Sequence, residues 1–415
     1  MNDIYKYLQS LNEFKFDFSL DRIKKILKYL NNPQNNFKVI HITGSNGKGT
    51  VAHFLSSIFV NAGYKTGLYT SPHLIDVRER IKIDNKLVNK KIFNDCVLLV
   101  KKITENKNIK LTYFEFLTVV AFLVFKRQQV KIAIIEVGLG GRYDATNVDY
   151  KNKILSIITS IDLEHTNYLG KTKKLILLEK EKIIGDGFAV CNIKEKRLKK
   201  LLVKLHGRKI LFPQDLFEIK KTIFKQDGLE ILITSKNSEL IKVKTKMLEL
   251  IQTKNVLTVL TAIHFLNKRK NFHINDKTIL TGIEKTFVPC RFTKHKKGYY
   301  LSVAHNPAAI EQMLKTARLI AGNKRIVYIY SSLKDKDINS IFRILSKDKN
   351  IFVILTQINN ERAIDIEKLK KNIVKYCIKH KVEIDNFKAL KLAYKLKKDG
   401  IIVIGGSFYL VNRFI

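Results

Sequence analysis

The residues best placed to do chemistry lie in Thr43-Gly44-Ser45-Asn46-Gly47-Lys48-Gly49-Thr50. A lysine set among three glycines has no packing use. Glycines let backbone N–H groups approach a polyanion, Lys48 adds a positive charge for terminal phosphates, and the Thr50 hydroxyl can reach magnesium. The flanking elements suit that purpose. Val39, Ile40 and Ile42 form a β-branched apolar run that reads as a buried strand. The following VAHFLSSIFVNAG reads as an amphipathic helix stopped by Gly63. Strand, glycine loop and helix N-terminus together make an anion site. The spacing is distinctive: only Ser45 and Asn46 separate Gly44 from Gly47-Lys48, where the common nucleotide loop has four residues.

Other candidates fall where strands end. KIAIIEV, 131–137, is a buried strand carrying Glu136, followed by Gly138-Leu139-Gly140-Gly141-Arg142-Tyr143-Asp144-Ala145-Thr146-Asn147. Ligands of open α/β sheets bind beyond the carboxyl ends of strands, so Glu136 is a functional candidate. His165 follows the strand ILSIITS, 154–160. The stretch after Tyr69 holds Ser71, His73, Arg78 and Arg80, which suit either a metal or acidic ligand or a solvated surface turn. Pro72 makes Ser71 extended. Glu115 lies inside the apolar helix YFEFLTVVAFLVF and needs a partner. Lys180, in EKEK, reads from the residues alone as a solvated lysine on a charged helix.

Strand and helix signals alternate as far as Ala189–Cys191, which predicts a parallel, doubly wound sheet. Two β-like stretches, around 217–224 and 229–235, interrupt the helices, which resume at 252–267 and 276–286. Phe287-Val288-Pro289-Cys290-Arg291 breaks the pattern. A second βαβ series follows, with strands expected at 299–303, 325–330, 351–355 and 401–404. We therefore expect one domain over 1–288 and a smaller one over 289–415.

A chain of 415 residues has ample length for real cores. Its formal charge of +40 could indicate a polyanionic partner. The lysines are scattered along the whole chain and form no arm or stripe, which argues against nucleic acid and for a Lys/Asn/Ile compositional bias. No apolar run is long enough to span a bilayer, and MNDIYKYLQSLNEFKFDF has no signal-peptide pattern. The four cysteines, Cys96, Cys191, Cys290 and Cys377, form no CxxC pair. A reducing cytoplasm is the expectation.

Taken together, the motifs identify a resemblance. HITGSNGKGT, YTSPHL with RERI, TYFEFLT, IIEVGLGGRYDATN, DLEHT with LGKT, Glu179-Lys180, Gln252 with Asn255, AHNP, LKDKD and GGSFYLV occur in this order. The chain resembles the folylpolyglutamate synthase/dihydrofolate synthase family of the Mur ligase superfamily over nearly its full length. The resemblance implies an N-terminal P-loop-type ATPase domain, with a mostly parallel sheet flanked by helices, and a C-terminal Rossmann-like glutamate-ligase domain. It implies an ATP-dependent ligase in which the acceptor carboxylate becomes an acyl phosphate and L-glutamate displaces phosphate. The acceptors would be dihydropteroate, reduced folates, or both. The ATP cofactor would come with two magnesium ions, and the enzyme would be monomeric, with no nucleic-acid or membrane partner. The two domains would close over the nucleotide and exclude water.

By the same resemblance, Ser45, Asn46, Gly47, Lys48, Gly49 and Thr50 would hold the triphosphate, and Asn255, Arg291 and Ser302 would help bind the nucleotide. Thr50, Ser71, Glu136 and His165 would be metal ligands, joined by Lys180 carrying a CO₂-derived carbamate. Thr112, Tyr113, Phe114, Glu115, Tyr143, Asp144 and Arg80 would contact the pterin side, and His305 with Asn306 would face ATP and glutamate. Lys48, Lys180 and His305 are the expected catalytic groups. Three positions depart from the family pattern. Ser302 replaces an aspartate that normally helps bind nucleotide or glutamate. Glu181-Lys182 replaces Ala-Gly, so Glu181 must point away from a carbamate. Cys290 replaces a glycine, so that turn must tolerate a side chain. Three rival readings stay open: a Mur-type peptidoglycan ligase, against which YTSPHL, TYFEFLT and GLGGRYDATN stand; a basic P-loop protein that binds nucleic acid and hydrolyses nucleotide without ligase activity, favoured by the charge but by no nucleic-acid motif; and a degenerate nucleotide-binding module, for which Ser302 is the best argument.

Overall fold

The apolar runs of the first two hundred residues assemble into one large sheet. The computed structural model describes residues 2–11, 19–236 and 239–415. Its strands are β1 (Lys38–Thr43), β2 (Thr66–Tyr69), β3 (Ile81–Ile83), β4 (Lys86–Leu87), β5 (Ile132–Glu136), β6 (Lys153–Ile158), β7 (Ala189–Cys191) and β8 (Ile210–Leu211). They lie in the order β4-β3-β2-β5-β1-β6-β7-β8. Pairing is parallel from β2 to β8 and antiparallel at β2–β3 and β3–β4. The hairpin edge makes the sheet mostly, not wholly, parallel, as expected. Its turn residues Asp84 and Asn85 both have positive φ, 49° and 63°. That is the backbone of a tight hairpin turn, which Asp and Asn tolerate.

Strands β1, after Lys38, and β5 are buried on both faces because helices cover both sides. On one face Phe116, Val120 and Phe125 of the helix Tyr113–Arg127 pack with Ile26, Phe93 and Val97 over Val39 and Ile135. A second apolar cluster joins Ile158 and Cys191 to Ile176 and Leu177. The register pairs Ile42 with Glu136 and Thr43 with Ile158. The carboxyl ends of β1, β5 and β6 therefore stop together. β1 leads to β2 on one side, while β5 leads across β1 to β6 on the other. Such a reversal is where α/β sheets open a ligand crevice.

Glu115 finds the partners its burial demands. It accepts from Thr112 N at 2.7 Å and Thr112 Oγ1 at 2.9 Å, and it pairs with Arg22 at 3.0 Å. This is a reciprocal capping box, typically worth about 1 kcal/mol to a helix.

Strands β9 (Phe217–Lys225), β10 (Gly228–Ser235) and β11 (Leu240–Thr245) follow. The chain divides into two compact units: Met1–Lys221, Ile231–Lys244 and Thr253–Thr286 in the first; Thr222–Glu230, Thr245–Gln252 and Phe287–Ile415 in the second. Two short segments thus belong to the second unit although they precede residue 287. That unit contains β12 (Arg291–Lys294), β13 (Tyr300–Ser302), β14 (Ile326–Tyr330), β15 (Ile351–Leu355), β16 (His380–Val382) and β17 (Ile401–Gly405), in the order β12-β13-β17-β14-β15-β16. Only β12 is antiparallel to its neighbour. Its core joins Ile310 and Met313 to Tyr328, Val353 and Phe342. Among the described residues, no helix is long and apolar enough to cross a membrane.

Central β1 carries one buried histidine. Thr146 Oγ1 donates to Asp144 Oδ1 at 2.5 Å and lies 2.8 Å from His41 Nε2. With its own proton committed to the carboxylate, Thr146 accepts from His41, so Nε2 carries the hydrogen. Nδ1 is buried without a hydrogen-bond partner, and the ring stands edge-on to Tyr150. Burial, followed by the charge of Lys153, lowers the His41 pKa well below 6.5. The unfolded chain gains a proton near pH 6.5 that the folded chain refuses. The contribution of a neutral His41 is therefore complete above pH 6.5 and is lost as pH falls, by up to about 1.4 kcal/mol per pH unit. Urea midpoints should drop more between pH 7.5 and 5.5 for the natural protein than for His41→Asn. Equal drops would overturn this reading.

Candidate active site

The glycine loop after β1 is stapled to the loop after β6. Ser45 N donates to Ser160 O at 2.9 Å, Asn46 N to Ser160 Oγ at 2.9 Å, and Asp162 N to Ser45 Oγ at 2.9 Å. Thr159 Oγ1 donates to Asn46 O at 2.6 Å. Gly44 has φ +145°, and a methyl group there would overlap Thr159 Oγ1 and press on Thr159 N and Ser160 N. Only glycine fits this approach. The helix Lys48–Asn61 then starts without a side-chain cap. Its first-turn amides and dipole are those of an anion site. Lys48 Nζ folds back to Gly44 O at 2.8 Å. Asn255 packs its side-chain amide over Gly47. Ser45 faces inward, so its hydroxyl serves the loop.

Lys180 corrects the reading from the residues alone. Its side chain is 1% exposed, paired with Glu164 Oε1 at 2.7 Å, and it donates to Gly44 O at 3.1 Å. The cations of Lys48 and Lys180 thus converge on one carbonyl. The cause lies in the fold of the glycine-rich 138–147 loop. Gly141 packs so closely on the end of the helix Lys173–Lys180 that a Cβ would come 2.7 Å from Glu179 O and 3.0 Å from Lys180 Cα. Arg142 N donates to Glu179 O at 3.0 Å and its guanidinium pairs with the Glu179 carboxylate at 3.0 Å. This clamp turns Lys180 inward. Burial alone would raise the Glu164 carboxyl, but Lys180, Lys48 and His165 outweigh it and hold the pKa down at about 2. Burial pulls the Lys180 ammonium down, with Glu164 opposing. Nothing local in DLEHT marks Glu164 for a role; a buried lysine signals the need for such an anion. Glu181 points away, to His206 Nε2 at 2.7 Å and Lys182 at 3.0 Å.

Glu136 is buried at the end of β5, beside Gly49, with Oε2 accepting from Ser71 N at 3.0 Å. Glu136, Ser71 and the start of the Thr50 turn are thereby brought together. His165 precedes the short helix Thr166–Leu169 in a left-handed conformation, φ 44°, without a side-chain capping bond, and its charge reaches Glu164. Among the described residues, no group of three or more His, Cys, Asp or Glu side chains forms a metal cluster. The oxygen donors Glu136, Thr50 and Ser71 suit a hard divalent cation. Lys180 as an ammonium does not.

The loop after β2 is not a solvated turn. Arg80 is buried, donates to His73 Nδ1 at 2.9 Å and lies over the Tyr113 ring at 5.1 Å. Arg78 pairs with Asp76 at 2.7 Å. The Ser71–Pro72 peptide is cis. Phe114 stacks on Tyr69 and sits against Gly138, while Tyr143 is exposed. Thr112 and Glu115 cap their helix. Asp144 faces inward, accepting from Leu139 N and Thr146 N, each at 2.9 Å. Of the expected pterin-side residues, these three therefore hold the local structure.

The second unit has its own polar cluster. His305 lies in the loop after β13, and its Nδ1 donates to Val303 O at 2.9 Å. Asn306 caps the helix Pro307–Ala321 by accepting from Ala309 N at 2.9 Å. Arg291 pairs in register with Ser302. It stands between Cys290 and Phe292, which both have positive φ, 61° and 55°. Cys290 does tolerate its side chain, buried in that left-handed turn. Ser302 is fully buried, with Oγ 3.4 Å from Glu249 Oε1. Sequence reasoning missed Glu249.

Residues 42–263 match the Mur ligase middle domain and residues 290–408 the Mur ligase glutamate ligase domain. A dihydrofolate synthase/folylpolyglutamate synthase of Haemophilus influenzae is 31% identical, over 98% of this chain and 95% of its own length. The structure of E. coli FolC in complex with DHPP and ADP superposes with a TM-score of 0.85 at 25% identity, covering 99% of this chain and 96% of that one. A bifunctional folylpolyglutamate synthase/dihydrofolate synthase with Mn, AMPPNP and L-glutamate bound gives 0.83 at 25%, with the same coverage.

The loop geometry has a direct test. Gly44→Ala should weaken AMPPNP binding at least tenfold in isothermal titration, because the methyl group separates the loop from Thr159 and Ser160. Unchanged affinity would show that the loop does not depend on this close approach.

Proposed function

The chain belongs to the dihydrofolate synthase/folylpolyglutamate synthase family of Mur-type ligases, and on that premise we propose that it is a bifunctional enzyme joining L-glutamate to dihydropteroate and to reduced folates. The observation that carries the reading is the uncapped helix start behind Gly44–Thr50, with Lys48 over the loop and the buried Glu136 carboxylate beside Gly49. This is equipment for a nucleoside triphosphate with its divalent cation, and the glutamate ligase domain match supplies the amine donor.

ATP transfers its γ-phosphoryl group to the acceptor carboxylate, leaving ADP and an acyl phosphate. The amine of glutamate attacks the acyl carbon, the C–O bond to phosphate breaks, and the amine loses a proton. In our reading the loop amides and Lys48 hold the triphosphate and balance charge that develops on it. Thr50, Ser71 and Glu136 would hold magnesium, which when bound neutralises phosphate charge. Arg80, Tyr113, Phe114 and Tyr143 form the pterin side, supported by Thr112, Glu115 and Asp144. Arg291, with Asn255, is assigned to nucleotide and His305 to glutamate.

For Lys180 we favour the carbamate. CO₂ joins the neutral amine, forming an N–C bond and releasing a proton. The product is an anionic oxygen ligand beside Glu164 and His165, a charge pattern that calls for a second divalent ion. Complete burial beside the loop supports this reading. The four free cysteines agree with a reducing cytoplasm.

Phosphate release from ATP should require L-glutamate, magnesium and an acceptor, and should occur with dihydropteroate and with tetrahydrofolate alike. Release with one acceptor alone would reduce the reading to a single activity. Absence of acceptor-dependent release would leave a nucleotide-binding module.

A further inference from the structure

The carboxyl ends of β7 and β8 carry a polar network that the mechanism above does not use. Asn192 follows Cys191, the last residue of β7, and Gln214 lies in the turn Pro213–Asp215 after β8. Asn192 is buried, and its Nδ2 donates to Lys254 O and to Thr258 Oγ1, each at 2.9 Å. Thr258 Oγ1 sends its own proton to Lys254 O, also at 2.9 Å. Both atoms facing Nδ2 therefore act as acceptors, which fixes the way the amide points. Oδ1 is left for Gln214, whose Nε2 donates to it at 2.6 Å. The other amide atom of Gln214, Oε1, is buried without a hydrogen-bond partner. One polar atom thus goes unsatisfied while the other orients Asn192.

What this network grips is the first turn of the helix Gln252–Lys268. The chain passes from the second compact unit to the first at Thr253, within that turn. Helix ends fray, and a hydroxyl bonded back to the carbonyl four residues earlier tends to bend a helix. A donor from outside the helix, on the same carbonyl, ties the turn to the end of β7. The residue after Lys254 is Asn255, and its buried amide lies against Gly47: a Cβ on Gly47 would come 2.5 Å from Asn255 Oδ1. Gly47 has φ +90° and is the cap residue from which the helix Lys48–Asn61 starts. It has no side chain to hold itself in place, so the Asn255 amide is its packing partner on that side. One path of contacts runs from Gln214 through Asn192 and Lys254 to Asn255 and the glycine loop.

We propose that Asn192 is a positioning residue for nucleotide binding, which holds the first turn of the helix Gln252–Lys268 so that Asn255 stays against Gly47. Gln214 keeps the Asn192 amide turned the productive way. The inference rests on the reading of Gly44–Thr50 as a nucleotide site.

The test measures the affinity of the full chain for AMPPNP with magnesium by isothermal titration. Asn192→Ala and Asn255→Ala should each weaken binding at least fivefold. The double variant should lie within twofold of Asn255→Ala, because both residues act through one contact. Gln214→Ala should weaken binding less than threefold. Gln214→Glu should weaken it as much as Asn192→Ala, because a carboxylate there takes Nδ2 and turns Oδ1 onto Lys254 O. In turnover, Asn192→Ala should raise the KM for ATP at least fivefold with kcat changed less than threefold. Natural affinity in Asn192→Ala or in Asn255→Ala overturns the proposal, as does a double variant that shows the product of the two losses. A loss confined to kcat also overturns it. Should Asn192→Ala fail to fold, the two Gln214 variants decide: equal affinities overturn it. If the natural protein does not bind AMPPNP, the nucleotide reading fails first and the proposal falls with it.

Discussion

A buried lysine cannot stand without an anion, and much of the first unit follows from that constraint. Lys180 is sunk beneath the glycine loop, against Glu164 and the carbonyl of Gly44. Removing either partner of such a pair leaves an uncompensated buried charge, at about 3–5 kcal/mol. The close packing of Gly141 and the Arg142–Glu179 pair fix the helix end that delivers the lysine. The same carbonyl receives Lys48. Lys180 in its ammonium form is neutralised by Glu164, which leaves the Lys48 charge at the loop, where it suits a polyphosphate.

Several of the polar residues shape the loops. Ser45, Thr112, Glu115 and Asp144 bind backbone amides, and Glu115 and Asp144 also take side-chain donors from Arg22 and Thr146. That use is why the loops keep their form, since a glycine-rich segment has little else to order it. Glu136 and Lys48 stand where strands β1, β5 and β6 end in register.

In the second unit a similar economy operates with fewer groups. Ser302, Arg291 and Glu249 form a small polar cluster at the edge of an apolar core. Seen in isolation, a serine at 302 reads as a lost carboxylate. In the fold its hydroxyl bonds to the buried Glu249 carboxylate.

The sequence by itself determined the fold class and the elements that carry the site. β-Branched runs at 39–42, 132–136 and 154–158, each followed by glycine or turn residues, place the strand ends and their loops, since period and turn chemistry are local properties. It also determined the phosphate loop, whose spacing has a direct backbone meaning. The antiparallel edge at 81–87 was written in Asp84-Asn85 but is too short to show periodicity. What only the tertiary structure decided is the state of the charged groups. Lys180 in EKEK looks like a solvated lysine until Gly141 turns it inward to Glu164. Glu249 has no local signal in the sequence, and only the fold brings its carboxylate to Ser302. Solvation and pairing depend on atoms distant in the chain, and no local pattern encodes them.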